Sequence, residues 1–135
     1  CYGNVIIRSE QGGIYQWVFK LLRINTCMDF GISSSYGMDK AFATNSDSSN
    51  YCARYAAHKV SKDEQIYWGG FHFSTGMKLK MELNLNKRTL SFYVNDKFMG
   101  VAWDNIDIGP DINYRMAVFF LHNNCSIKLL SFEVV

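Results

Sequence analysis

From Lys78 to Asn86, the apolar residues Leu79, Met81, Leu83 and Leu85 alternate with Lys78, Lys80, Glu82, Asn84 and Asn86. A period of two predicts a strand with one buried and one wet face. After a polar bend at Asn86-Lys87-Arg88, Leu90, Phe92 and Val94 alternate with Thr89, Ser91 and Tyr93. Two alternating runs joined by a short polar link predict a hairpin. Asn95-Asp96-Lys97 reads as a second tight turn, because Asn and Asp tolerate left-handed backbone. Phe98 to Trp103 continues as a third strand, in which Gly100 marks a bulge or a close backbone approach. Residues 78–103 are therefore expected to form a three-stranded meander.

Asp104 to Asn113 reads as a loop around the turn pair Gly109-Pro110. Tyr114 to Leu121 is apolar on both faces apart from Arg115, the pattern of a strand inside packed layers, and Ser126 to Val135 supplies a last strand. Upstream, Tyr15 to Ile24 and Met28 to Ser33 read as strands around a short turn. No segment sustains a 3.6-residue period with caps, although Tyr51 to Lys59 has room for a helical turn or two. Many short strands with little helix predict an all-β antiparallel sandwich of two sheets, formed as one domain over residues 1–135. Trp17, Trp103, Phe92 and Phe119 belong to its expected core. The least strand-like stretch, Ser34 to Asp63, is rich in Ser, Asn, Asp, Gly and Tyr. Loops of this kind on a rigid sandwich are where binding residues gather.

Composition narrows the class. With 48% hydrophobic and 19% charged residues among 135, the chain can fill a core and is not disordered. Fourteen Lys and Arg against twelve Asp and Glu leave +2, too little for a phosphate-neutralising surface, so no nucleic-acid partner is expected. No apolar run approaches the roughly 18–20 residues that span a bilayer, and no secretory leader pattern is visible. The expectation is a cytoplasmic, membrane-free domain. The start at Cys1-Tyr2-Gly3, without methionine, reads as a segment of a longer protein. Cys1, Cys27, Cys52 and Cys125 stand far apart with no CxxC pair, as expected of buried free thiols in a reducing compartment. Asn124-Cys125-Ser126 matches a glycosylation triplet, which without a leader is expected to be silent.

Chemistry is sparse. His58, His72 and His122 are separated along the chain, and His122 with Cys125 is a lone pair of possible ligands with no second half. Asp104, Asp107 and Asp111 share a loop but lack the glycine and terminal glutamate of a calcium-binding hand. There is no nucleophile elbow, and neither Gly12-Gly13 nor Gly69-Gly70 forms a phosphate loop. Glu82 lies on the wet side of its strand, a surface setting unlike that of a general acid. No catalytic residue, metal or cofactor is assigned, and the chain is expected not to be an enzyme.

Four stretches resemble the SPRY domain, the core of PRY-SPRY modules. Gly13-Ile14-Tyr15-Gln16-Trp17-Val18-Phe19 resembles the family's G-x-Y-x-W-x-F strand, and Phe30-Gly31-Ile32-Ser33 the strand that follows it. Lys80 to Val94, ending in Leu90-Ser91-Phe92-Tyr93-Val94-Asn95-Asp96, resembles its L-D-x-x-x-x-T-L-S-F-Y-x-N-G hairpin. Gly100-Val101-Ala102-Trp103 with Tyr114-Arg115-Met116-Ala117-Val118 is similar to G-x-A-F … Y-x-x-A-V. Asn84 replaces a frequent Asp, Gly76-Met77 a frequent Gly-Asp, and Asp96 the usual Gly. The resemblance implies a bent, concanavalin-like sandwich and a non-catalytic module that binds a protein or short peptide through loops at one edge. It also implies service as the substrate-recognition part of a ubiquitin ligase or within a scaffold, as a monomeric domain of a multidomain protein.

In family members attached to SOCS boxes a V-W-G loop contacts the peptide just before the last strand. The match places Leu121, His122 and Asn123 there, with His122 in place of the Trp, so that subfamily's peptide preference is not expected to transfer. The residues give the same location, since His122-Asn123-Asn124 is a polar break between two apolar strands. Tyr36 is a second candidate, on the expectation that the loop after the Gly31 strand lies at the same end. The alternative is a carbohydrate-binding lectin on a similar sandwich, with Tyr36 and Tyr51 as a platform and calcium at Asp104 and Asp107.

Overall fold

The computed structural model describes residues 3–23, 28–34, 50–54, 58–60, 66–67, 74–120 and 126–135. Among them one 3-10 turn, Ser9–Gln11, accompanies strands. In chain order these are β1 (Ile7–Arg8), β2 (Ile14–Arg23), β3 (Met28–Ser34), β4 (Asn50–Arg54), β5 (His58–Val60) and β6 (Ile66–Tyr67). They continue as β7 (Lys78–Asn84), β8 (Thr89–Val94), β9 (Lys97–Trp103), β10 (Asn113–Phe120) and β11 (Ser126–Val134). Two antiparallel sheets result, one ordered β1-β10-β3-β4-β5-β6 and the other β11-β2-β7-β8-β9.

The five-stranded sheet follows from alternation. Tyr15, Trp17, Phe19 and Leu21 of β2 point inward, as do Leu79, Met81 and Leu83 of β7 and Leu90 and Phe92 of β8. Phe30 and Ile32 of β3, with Tyr114, Met116 and Val118 of β10, form the facing layer. Phe19 meets Phe30 across the layers with ring centroids 5.4 Å apart. Each large apolar side chain buried in this way contributes about 1.5–3 kcal/mol. Trp17, Phe92 and Trp103 sit in this core as expected, while the Phe119 side chain lies outside the described residues. On β11, Phe132 closes the edge of the core against Trp17, 5.2 Å between centroids.

The meander of β7, β8 and β9 has the expected bounds. Its second turn places Asn95 and Asp96 in left-handed backbone, φ 48° and 69°. Gly100, at φ 123°, sits where the β8–β9 register slips: Phe92 faces Gly100 whereas Tyr93 faces Phe98. Gly12 is required where the chain enters β2. Its φ is +70°, and a Cβ there would stand 2.7 Å from the Asn86 side-chain oxygen, which accepts the Gly13 N–H at 3.0 Å. The loop between β9 and β10 is pinned from several sides. The Ser9 hydroxyl donates to the Gly109 carbonyl at 3.0 Å, Tyr114 Oη donates to Asp107 O at 2.6 Å, and Arg88 Nε donates to Ile106 O at 2.7 Å.

Several expectations are corrected. Residues Tyr51 to Lys59, read as a helical turn or two, contain all of β4 but its first residue and the start of β5, paired to each other and through β4 to β3. Strand pairing supplied from β3 therefore organises part of the Ser34–Asp63 stretch that lacked any strand signal. β2 and β3 exist but do not pair as a hairpin; they belong to different sheets. Asn84, placed on the wet face by alternation, is buried because its side-chain oxygen accepts the Lys87 N–H and closes the β7–β8 turn.

Candidate functional site

Tyr36, Leu121, His122 and Asn123 lie outside the described residues. The strands that lead to them are described. β3 and β10 run antiparallel, with Ser34 opposite Tyr114 and Phe120 opposite Met28. The end of β3 and the end of β10 are thus at opposite ends of the pair, about 20 Å apart at ~3.4 Å per residue. The chain heading toward Tyr36 and the chain heading toward Leu121 set out in opposite directions. Strand direction therefore does not supply the shared end on which Tyr36 was grouped with residues 121–123.

The end from which residue 121 departs collects several connections. β2 finishes at Arg23, opposite Ser126, the first residue of β11. In the other sheet the end of β10 at Phe120 lies opposite the start of β3 at Met28. β4 ends here too, with Arg54 opposite Asp29, so segment 55–57 starts from it. The five-stranded sheet contributes the turn before β7 and the β8–β9 turn. Lys20 Nζ donates to the Gly76 carbonyl at 2.7 Å, and Lys78 Nζ pairs with Asp96 at 2.9 Å. The hydrogen bond from Lys78, then its charge, holds the Asp96 carboxyl below the usual carboxylate range.

The outer face of the five-stranded sheet carries a further cluster that sequence reasoning missed. Tyr93 and Phe98 meet edge to face with centroids 5.2 Å apart, and Lys80 Nζ stands 4.3 Å above the Tyr93 ring. Phe98 and Val101 are 51% and 44% exposed. Burial, then the nearby Glu82 charge, raises the Tyr93 phenol above its ordinary value. Glu82 accepts a hydrogen bond from Gln16 Nε2 at 2.6 Å. Arg88 is not part of this face; its guanidinium turns to the Ile106 carbonyl beyond the far end of β7. The usable signal was Lys80 followed thirteen residues later by Tyr93, paired across the hairpin.

Among the described residues, no group of three or more His, Cys, Asp or Glu is arranged to hold a metal, Asp104, Asp107 and Asp111 included. Arg8, Glu10 and Gln11 border an open concavity of about 240 Å³, below the ~300–1,000 Å³ of small-molecule pockets. No helix of the described residues is long and apolar enough to cross a membrane.

No family profile matches the sequence, and no curated protein matches it. Among solved structures, the chain is similar to the SPRY domain of human HERC1, with a TM-score of 0.75 and 20% identity over 95% of this chain and 79% of that one. The fold is SPRY-like, as the four sequence stretches implied.

Proposed function

We propose that this chain is a non-catalytic protein-interaction module, a single domain of a larger protein, that captures a short peptide through the segment Leu121-His122-Asn123. The observation that carries this reading is the likeness to a SPRY domain over 95% of the chain. The pairing of both strand ends that flank residues 121–125, Phe120 with Met28 and Ser126 with Arg23, supports it, because fixed flanks lower the ordering cost of binding. Tyr36 is proposed as a separate contact, since its strand leaves the other way. As the recognition part of a larger protein, such a module serves a ubiquitin ligase or a scaffold by selecting the protein brought to it.

The test is affinity capture from a lysate of the source cell with three baits: wild type, Tyr36→Ala, and the triple variant Leu121→Ala/His122→Ala/Asn123→Ala. Thermal denaturation first establishes that both variants are folded. Proteins held by wild type and lost by the triple variant are the expected result. An unchanged set with the triple variant moves peptide capture to another surface. Loss with Tyr36→Ala alone transfers it to Tyr36.

A further inference from the structure

The strand registers arrange the outer face of the five-stranded sheet into cross-strand rows. Lys128 of β11 lies opposite Lys20 of β2, and Lys20 lies opposite Lys78 of β7. Three lysines thus stand side by side on three neighbouring strands, about 4.8 Å from one to the next. The next row pairs Val18, Lys80, Tyr93 and Phe98, and the row after it Glu133, Gln16, Glu82, Ser91 and Val101. Like charges directly opposite one another destabilise a sheet, whereas opposite charges stabilise it. This sheet has carboxylates on the same face, yet Glu82 and Glu133 stand two rows away, roughly 13 Å along the strands. That exceeds the ~10 Å Debye length at 0.1 M salt, so they do little to neutralise the lysines.

Among the described residues, the one ion pair in the lysine row is Lys78 with Asp96. Lys20 donates to a neutral carbonyl, and Lys128 is exposed. Beside this surplus of positive charge lies exposed apolar surface, Phe98 packed on Tyr93 with Val101 one row on.

We infer that this face is a second docking surface, distinct from the loops, that takes an acidic protein segment carrying an aromatic or aliphatic residue. The carboxylates lie over Lys128, Lys20 and Lys78, and the apolar residue rests on Phe98. Charge complementarity selects the occupant and the carboxylate row limits it. A long polyanion such as a nucleic-acid strand would run from the lysines onto Glu82 and Glu133, while a short acidic segment stops before them. Repulsion within the lysine row is relieved when the segment binds.

The test is fluorescence anisotropy at low ionic strength with a labelled peptide of four glutamates followed by a phenylalanine. Lys20→Glu is expected to weaken binding by about tenfold or more, Lys20→Arg to retain it, and Phe98→Ser to weaken it severalfold. A matching peptide with glutamines in place of glutamates is expected not to bind. Lys20→Glu is expected to melt no lower than wild type, which separates lost binding from lost fold. Absence of peptide binding to wild type, equal binding by Lys20→Glu, or an oligonucleotide of equal charge binding as tightly would each overturn the inference. None of these readouts depends on residues 121–123, so failure here leaves the loop reading standing, and the reverse.

Discussion

Asp96 shows how much one side chain does at a turn. It holds left-handed backbone at φ 69°, a conformation that Asp tolerates better than most residues. Its neighbour Asn95 accepts the Lys78 backbone N–H at 3.0 Å, while Asp96 itself pairs with the Lys78 ammonium. A glycine at position 96 would satisfy the backbone but leave Lys78 unpaired. Because pairing lowers the folded-state pKa of Asp96 below its unfolded value, the associated stability is present above the unfolded pKa. It is lost as pH falls through the folded one. An NMR acid titration is expected to place the Asp96 midpoint below the ordinary aspartate value, and Lys78→Gln to raise it toward that value. A midpoint unchanged by Lys78→Gln would remove the pair as the cause. The effect on stability stays small, since Asp96 is 74% exposed.

At the scale of elements, β8 depends on Phe92, which is fully buried between Met81 of β7 and Gly100 of β9. Phe92→Ala is expected to cost about 3–5 kcal/mol in denaturant unfolding, through lost transfer energy and the cavity left behind. A change below about 1 kcal/mol would mean that β8 does not face the core. This meander was legible in the sequence because its pairings are local, its alternation is strict and both turns announce themselves with Asn, Asp, Lys and Arg. β4, β5 and β6 were not legible. Their pattern does not alternate, and β4 is paired by β3, across a long intervening segment. β2 and β3 each showed their strand character, but alternation names a buried face without naming the sheet that covers it. Asn84 misled for a related reason: at a strand end, a hydrogen bond to turn backbone overrides the face that alternation assigns.

Across the whole molecule, the sheet brings together what the chain keeps apart. The sequence pointed to a polar break at residues 122–124, because a local composition change is visible there. The lysine row was hidden, since Lys20, Lys78 and Lys128 come from three strands whose order only the fold sets. The same row predicts how stability responds to salt. Lys20 has a like charge on each side, and each such neighbour costs a few tenths to about 1 kcal/mol at low ionic strength. Raising salt from about 0.01 M to 0.15 M shortens the Debye length from ~30 Å to ~8 Å and screens that repulsion. Wild type is therefore expected to gain about 2–4 °C in Tm over this range. Lys20→Glu turns both neighbours into attractions, so at low salt it is expected to melt above wild type, and that advantage shrinks as salt is added. A variant that is more stable yet blind to an acidic peptide would show that the row is kept at a cost to folding, as binding surfaces often are. If the two proteins instead melt alike at every salt concentration, the lysines repel too weakly for the row to need a partner.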